Sequence, residues 1–236
     1  MKKQTPKITW WTDQRHNGLI YNTPPVSATK YFPKIFKDMP PSNPDISFPT
    51  AKKCPAFIDL YKHAYIIPMW CDVILTYDVQ GYRWETPTDE FSLDIHGHNQ
   101  FLDYLPMSKK DWHFVWKFHC PWFLKTPKGY SVLQLPLTYE FNPDFEVLSG
   151  VIDTDIHHEV NQQVVQKRVG TIEIHKGTPL CMYIPFKREK FEAEAVLETE
   201  ELWISKIKNY WNMVTTFGNK KSRPSAYREA QRKRDE

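Results

Sequence analysis

The sequence predicts a mainly β protein: an antiparallel β-sandwich or jelly-roll-like core with a short helix in its N-terminal half and an amphipathic helix near its C-terminal end. Three observations lead there. Four apolar runs, 128–136, 145–155, 164–175 and 177–186, follow one another, each rich in β-branched and aromatic residues and bounded by Gly, Pro, Asn or Asp, which supply turns that a pleated strand cannot continue. Two further stretches, 91–98 and 112–119, alternate between apolar and polar residues with the period of a half-buried strand. Glycine is scarce at 8 residues against 19 prolines, which suits stiff turns and speaks against a doubly wound α/β fold with glycine-marked crossovers.

A chain of 236 residues can bury a full core, and all-β domains of this size are often single. The expected organisation is a proline-rich arm over 1–53, a β-rich core over 54–196, a C-terminal helix over 197–218 packed on that core, and a basic tail over 219–236. Ile8 to Trp11 is a short strand candidate. The arm carries Pro24, Pro25, Pro33, Pro40, Pro41, Pro44 and Pro49, a density that removes backbone donors and forbids long helices and central strands. Its Tyr31, Phe32, Ile35, Phe36, Ile46 and Phe48 point to an ordered segment laid over the body rather than a free linker.

Residues 54–64 form a helix of about three turns, with Pro55 at its first position and Phe57, Leu60, Tyr61 and Ala64 on one face. Residues 69–77 and 81–85 read as a hairpin turning through Asp78, Val79, Gln80 and Gly81. In the 91–98 run Leu93 and Ile95 share one face, while Asp94, His96 and His98 share the other. In the 112–119 run Trp112, Phe114, Trp116 and Phe118 face one way, and four aromatic rings there mark the centre of the core. Helical spacing of Trp203, Ile207, Tyr210, Trp211 and Val214 predicts a helix over 198–217, with Thr199 as cap, Glu200 and Glu201 in the first turn and Gly218 as stop.

The net charge is +3, but it is uneven. From Asn219 to Glu236 seven basic residues oppose three acidic ones, a net of +4 that leaves the body at about −1. A nearly neutral body argues against a nucleic-acid groove across the fold, while the Lys220–Arg234 stretch of the tail could still touch nucleic acid or another acidic partner. Cys54, Cys71, Cys120 and Cys181 stand far apart without a Cys-x-x-Cys pair, so neither a zinc knuckle nor a thioredoxin-type motif is available. The N-terminal residues lack the apolar stretch of a signal peptide and no run approaches a membrane span. A cytoplasmic protein with reduced thiols is expected, without a membrane partner.

Several blocks resemble an uncharacterised family, a domain of unknown function of bacterial and bacteriophage proteins. They are Cys54-Pro55-Ala56-Phe57 with Tyr65-Ile66-Ile67-Pro68, Gly129-Tyr130-Ser131-Val132-Leu133, Gly150-Val151-Ile152-Asp153-Thr154-Asp155, and Gly177-Thr178-Pro179-Leu180-Cys181 with Pro185-Phe186. They span roughly residues 54–190. The resemblance implies a phage or bacterial origin, hence a host cytoplasm or a virion as location, and brings no activity, cofactor or catalytic residue.

Asp94-x-His96-x-His98 is the candidate metal motif, because residues at i, i+2 and i+4 share a strand face. Asp153 or Asp155 would complete a two-His-one-carboxylate set for a divalent metal. The sequence departs from the cupin pattern, which places a Glu a few residues after the second His, where Asn99 to Leu102 stand here. Asp153 and Asp155 also suit a general acid/base pair or calcium site at a strand end, against the plainer role of capping backbone amides. Of His157 and His158 only one can join a common site, since neighbouring strand residues face opposite ways. Cys181 sits in an apolar run that suggests a buried, inert thiol, and no Gly-x-Ser-x-Gly elbow or phosphate-binding glycine loop occurs. The nine tryptophans are mostly core, and an exposed pair would mark a ligand or subunit surface.

The leading expectation from these features is a phage-related binding or assembly protein acting through protein contacts, as a homo-oligomer or on a partner, without catalysis or cofactor. The competing expectation is a metal-dependent jelly-roll enzyme using His96, His98 and Asp153 or Asp155. A third is a nucleic-acid accessory factor acting through its basic tail.

Overall fold

The structure, a computed structural model, describes residues 5–13, 23–43, 45, 50–88, 91–106, 112–215 and 232–233. It is mainly β, with antiparallel sheets throughout. The chain forms two compact units, residues 1–33 with 61–188, and residues 34–60 with 189–236.

The first unit holds fourteen strands among its described residues: β1 (Thr9–Trp11), β2 (Val26–Ser27), β3 (Tyr65–Pro68), β4 (Val73–Asp78), β5 (Gly81–Glu85), β6 (Leu93–His96), β7 (Phe114–Phe118), β8 (Phe123–Lys125), β9 (Tyr130–Pro136), β10 (Phe145–Val147), β11 (Gly150–Ile152), β12 (Gln162–Gln166), β13 (Gly170–Ile174) and β14 (Pro179–Lys187). They pair in the orders β1-β8, β10-β12-β7-β6, β11-β9-β14-β3-β2 and β13-β4-β5. One cluster of buried side chains joins these sheets: Phe114, Trp116 and Phe118 from β7, Val164 from β12, Val132 from β9, Cys181 and Tyr183 from β14, and Ile172 and Ile174 from β13.

The 112–119 alternation is realised, since Phe114, Trp116 and Phe118 are all within 4% of full burial. The predicted hairpin is also present, β4 pairing with β5. Asp78 Oδ1 accepts from the Gln80 amide at 2.8 Å, and Gly81 takes φ 118°, a backbone angle that side chains rarely adopt.

Two of the four long runs are not single strands. Residues 145–155 break at Leu148 and Ser149 into β10 and β11, which belong to different sheets, and 164–175 breaks at Lys167 to Val169 between β12 and β13, again in different sheets. Each break is an edge where the chain leaves one layer for another, and apolar content alone does not mark it. β3 was absent from the expected elements. Pro68 closes that strand, as suits a residue with no amide to give the ladder.

The second unit holds α1 (Lys34–Asp38) and α3 (Glu200–Thr215), and α2 (Pro55–Lys62) runs from it into the first. Pro55 opens α2 as its first residue, and Phe36 and Phe57 pack with ring centroids 5.4 Å apart. At the start of α3 the Trp203 amide donates to the Thr199 carbonyl at 2.9 Å, with Glu200 and Glu201 in the first turn. Leu202, Trp203 and Ile204 are exposed. Gly218 and the basic tail, apart from Arg232 and Lys233, lie outside the described residues. Among the described residues no helix is long and apolar enough to cross a membrane.

Candidate functional site

Asp153, Thr154 and Asp155 form the corner between β11 and β12, and the chain fixes that corner from several directions. The amides of Ile156 and His157 both donate to the Asp153 carbonyl at 2.9 Å, closing a turn. Thr154 is fully buried, and its hydroxyl meets that of Thr126 at 2.8 Å. His158 places Nδ1 2.9 Å from the Thr154 carbonyl. Against His158 lies Trp11, edge to face at 5.0 Å, which itself stacks on Phe123 at 5.4 Å.

Arg188, which follows β14, reaches both acidic side chains. Its Nη1 and Nη2 donate to Asp155 Oδ1 and Oδ2 at 2.8 and 2.5 Å, a bidentate pair. Nη1 also lies 3.0 Å from Asp153 Oδ1 and 2.8 Å from Ser131 Oγ. Ser131 donates to Asp153 Oδ1 at 2.6 Å, and the Gly129 amide to Asp155 Oδ2 at 2.8 Å. The loop before β9 is tied in by the Arg188 amide, which donates to the Gly129 carbonyl at 2.8 Å, and Gly129 takes φ 83° there.

The two carboxylates therefore differ. Only 5% of the Asp155 side chain is exposed, against 53% for Asp153. Ser131, then Arg188, holds the Asp153 carboxyl below the usual carboxylate range. Arg188, then the Gly129 amide, does the same for Asp155. Asp155 in turn raises Arg188 above its ordinary value. Two carboxylates and one guanidinium leave a net −1, and that charge is presented by Asp153. Among the described residues both of its side-chain partners engage Oδ1.

The expected metal motif has a different outcome. β6 ends at His96, and His98 begins a one-turn 3-10 helix, so the shared-face argument stops at Gly97. His98 Nε2 lies 3.2 Å from the Tyr77 hydroxyl. Asp94 lies 2.8 Å from His119 rather than pairing with His96, and buried His96 Nε2 has no hydrogen-bond partner among the described residues. Among the described residues no group of three or more His, Cys, Asp and Glu side chains could hold a metal ion. The combination of His96 and His98 with Asp153 or Asp155 is thus not assembled, because the two aspartates are committed to Arg188 at another corner.

Cys181 is fully buried, and burial drives its thiol far up. Burial likewise pushes Cys120 up to about 12. Burial of this kind disfavours the thiolate in both. Ser131 and Arg188 were missed from the sequence. Ser131 stands in an alternating strand and reads as an ordinary polar position, while Arg188 follows the last strand and is 33 residues from Asp155, beyond any local pattern.

No protein-family model matches the chain, and no curated protein does. Solved structures do align with it. A variant dUTPase from phage phi11 of Staphylococcus aureus, studied for its coordination of a structural Mg(II) ion, is 13% identical with a TM-score of 0.34, over 58% of this chain and 85% of its own. A dUTPase variant of Staphylococcus bacteriophage 80alpha with dUpNHpp is similar at the same identity and TM-score, over 58% of this chain and 78% of its own. These neighbours are enzymes, which conflicts with the expectation of a non-catalytic assembly protein acting through contacts, and that expectation is not taken further. A likeness this distant assigns no substrate to the chain.

Proposed function

We propose that the chain is an enzyme whose reaction centre is the β11–β12 corner, with Asp153 as the carboxylate that orients water or a substrate hydroxyl and with Ser131 and Arg188 as positioning residues. One observation supports this reading above the rest: of two aspartates sharing one arginine, Asp155 is buried and structurally committed, while Asp153 is half open and held ionised. A carboxylate kept below its ordinary value is charged at neutral pH and accepts a hydrogen bond. It suits the role of aligning an attacking water and excludes that of proton donor.

Asp153→Asn keeps the side-chain shape and removes the charge. The assay follows hydrolysis of a panel of nucleoside triphosphates, dUTP among them, and of phosphate monoesters by the full chain. Turnover of a panel member that drops by about a hundredfold or more in Asp153→Asn, at an unchanged melting temperature, supports the assignment. Equal rates in the two proteins, or no turnover across the panel, overturn it.

A further inference from the structure

A second candidate site lies where the N-terminal segment before β1 meets the five-stranded sheet, and Tyr130 in its lining stands between the corner residues Gly129 and Ser131. A cleft of about 780 Å³ runs between the N-terminal segment before β1, the residues after α2 and the β9–β14 pair. Its volume falls in the range of small-molecule sites, roughly 300–1,000 Å³. Lys7, Lys62 and His63 line it from two separate segments, and among the described residues no Asp or Glu lines it. The opposite wall is aromatic and apolar, formed by Tyr65, Tyr130 and Ile184.

A basic rim attracts anions and repels cations, and lysine serves phosphate as a point charge. Half-buried tyrosine rings beside that rim offer a flat surface to a planar group at low entropic cost. We propose that this cleft binds a small organic phosphate, its anionic head held by Lys7, Lys62 and His63 and its planar body laid against Tyr65 and Tyr130. The assignment stands on the lining of this cleft and does not depend on Asp153 being catalytic.

The test is titration of the full chain with phenyl phosphate, followed by protein NMR at low salt, with phenol and a ten-residue oligothymidylate as comparison compounds. The expected result is saturable binding of phenyl phosphate with shifts around Tyr65 and Tyr130. Affinity falls at least about tenfold for phenol, for Lys7→Ala with Lys62→Ala, and for wild type at high salt. Both lysines are exposed, so the double variant is expected to fold, and Lys7→Arg with Lys62→Arg, which retains the charge, is expected to keep most of the affinity. Absence of saturation up to about 10 mM, or equal affinity in the double-alanine variant, overturns the proposal. Oligothymidylate that binds this cleft more tightly than phenyl phosphate overturns it too, in favour of a nucleic-acid surface.

Discussion

The β11–β12 corner is held by charge and the β6–β7 edge by packing. At the corner one guanidinium gathers Asp153, Asp155 and Ser131, and a backbone amide adds a further bond to Asp155. At the edge Leu93, Phe114, Trp116 and Phe118 enter the common core. The edge's surface contact between His119 and Asp94, whose side chains are 34% and 63% exposed, adds little. The difference teaches where a sandwich can place chemistry. An edge whose side chains are spent on burial has nothing free to offer a ligand, whereas a corner must already supply polar partners to its turning backbone. Once such partners exist, one more carboxylate can be left half open.

The largest effect that separates the two regions is expected for Trp116→Ala. It removes a fully buried ring and the partner of the buried Gln166 oxygen, 3.0 Å from Nε1, and should cost about 3–5 kcal/mol. Urea unfolding measures it, and the loss should not change with salt. A strongly salt-dependent loss would mean that charge matters at the edge as well.

Arg188→Ala is expected to act next, lowering the melting temperature by less than Trp116→Ala does and changing the response to acid. The sign follows from the two lowered carboxyls. Below the ordinary aspartate value of about 3.9 the folded chain binds fewer protons than the unfolded one. The stabilisation is therefore complete above that value and is lost as the pH falls through the folded values. Without Arg188 the main cause of the lowering of Asp155 is gone, so the urea midpoint should drop less between pH 7 and pH 3 than in wild type. An equal drop would show that the corner is not held by this charge cluster.

The smallest effect is expected for His98→Ala. This side chain is exposed and touches Tyr77, and its loss should change the unfolding free energy by less than about 0.5 kcal/mol. Zinc titration of wild type and variant is the sharper readout, with no stoichiometric uptake expected in either. Uptake by wild type that His98→Ala abolishes would restore the β6 end as a site.

Much of this was legible beforehand, and the limits have physical causes. The alternation of Phe114, Trp116 and Phe118 and the Asp78-to-Gly81 turn were readable because each depends on residues close in sequence. Asp153 and Asp155 were readable as a pair at a strand end, but their unequal roles were not, since burial of one and exposure of the other depend on Arg188. The Asp94-His96-His98 pattern misled for a related reason. Period-two reasoning holds only while the strand continues, and β6 ends at His96.

The sequence by itself determined the class of the protein, the strand at the centre of its core, and the starts of α2 at Pro55 and of α3 after Thr199. These rest on side-chain periodicity and on the needs of single turns, which neighbouring residues satisfy. Only the tertiary structure decided that residues 145–155 and 164–175 each divide between two sheets, and that Arg188 closes on Asp153 and Asp155. Strand partnership is set by which faces can be buried together across the whole chain, and no local run of residues carries that choice.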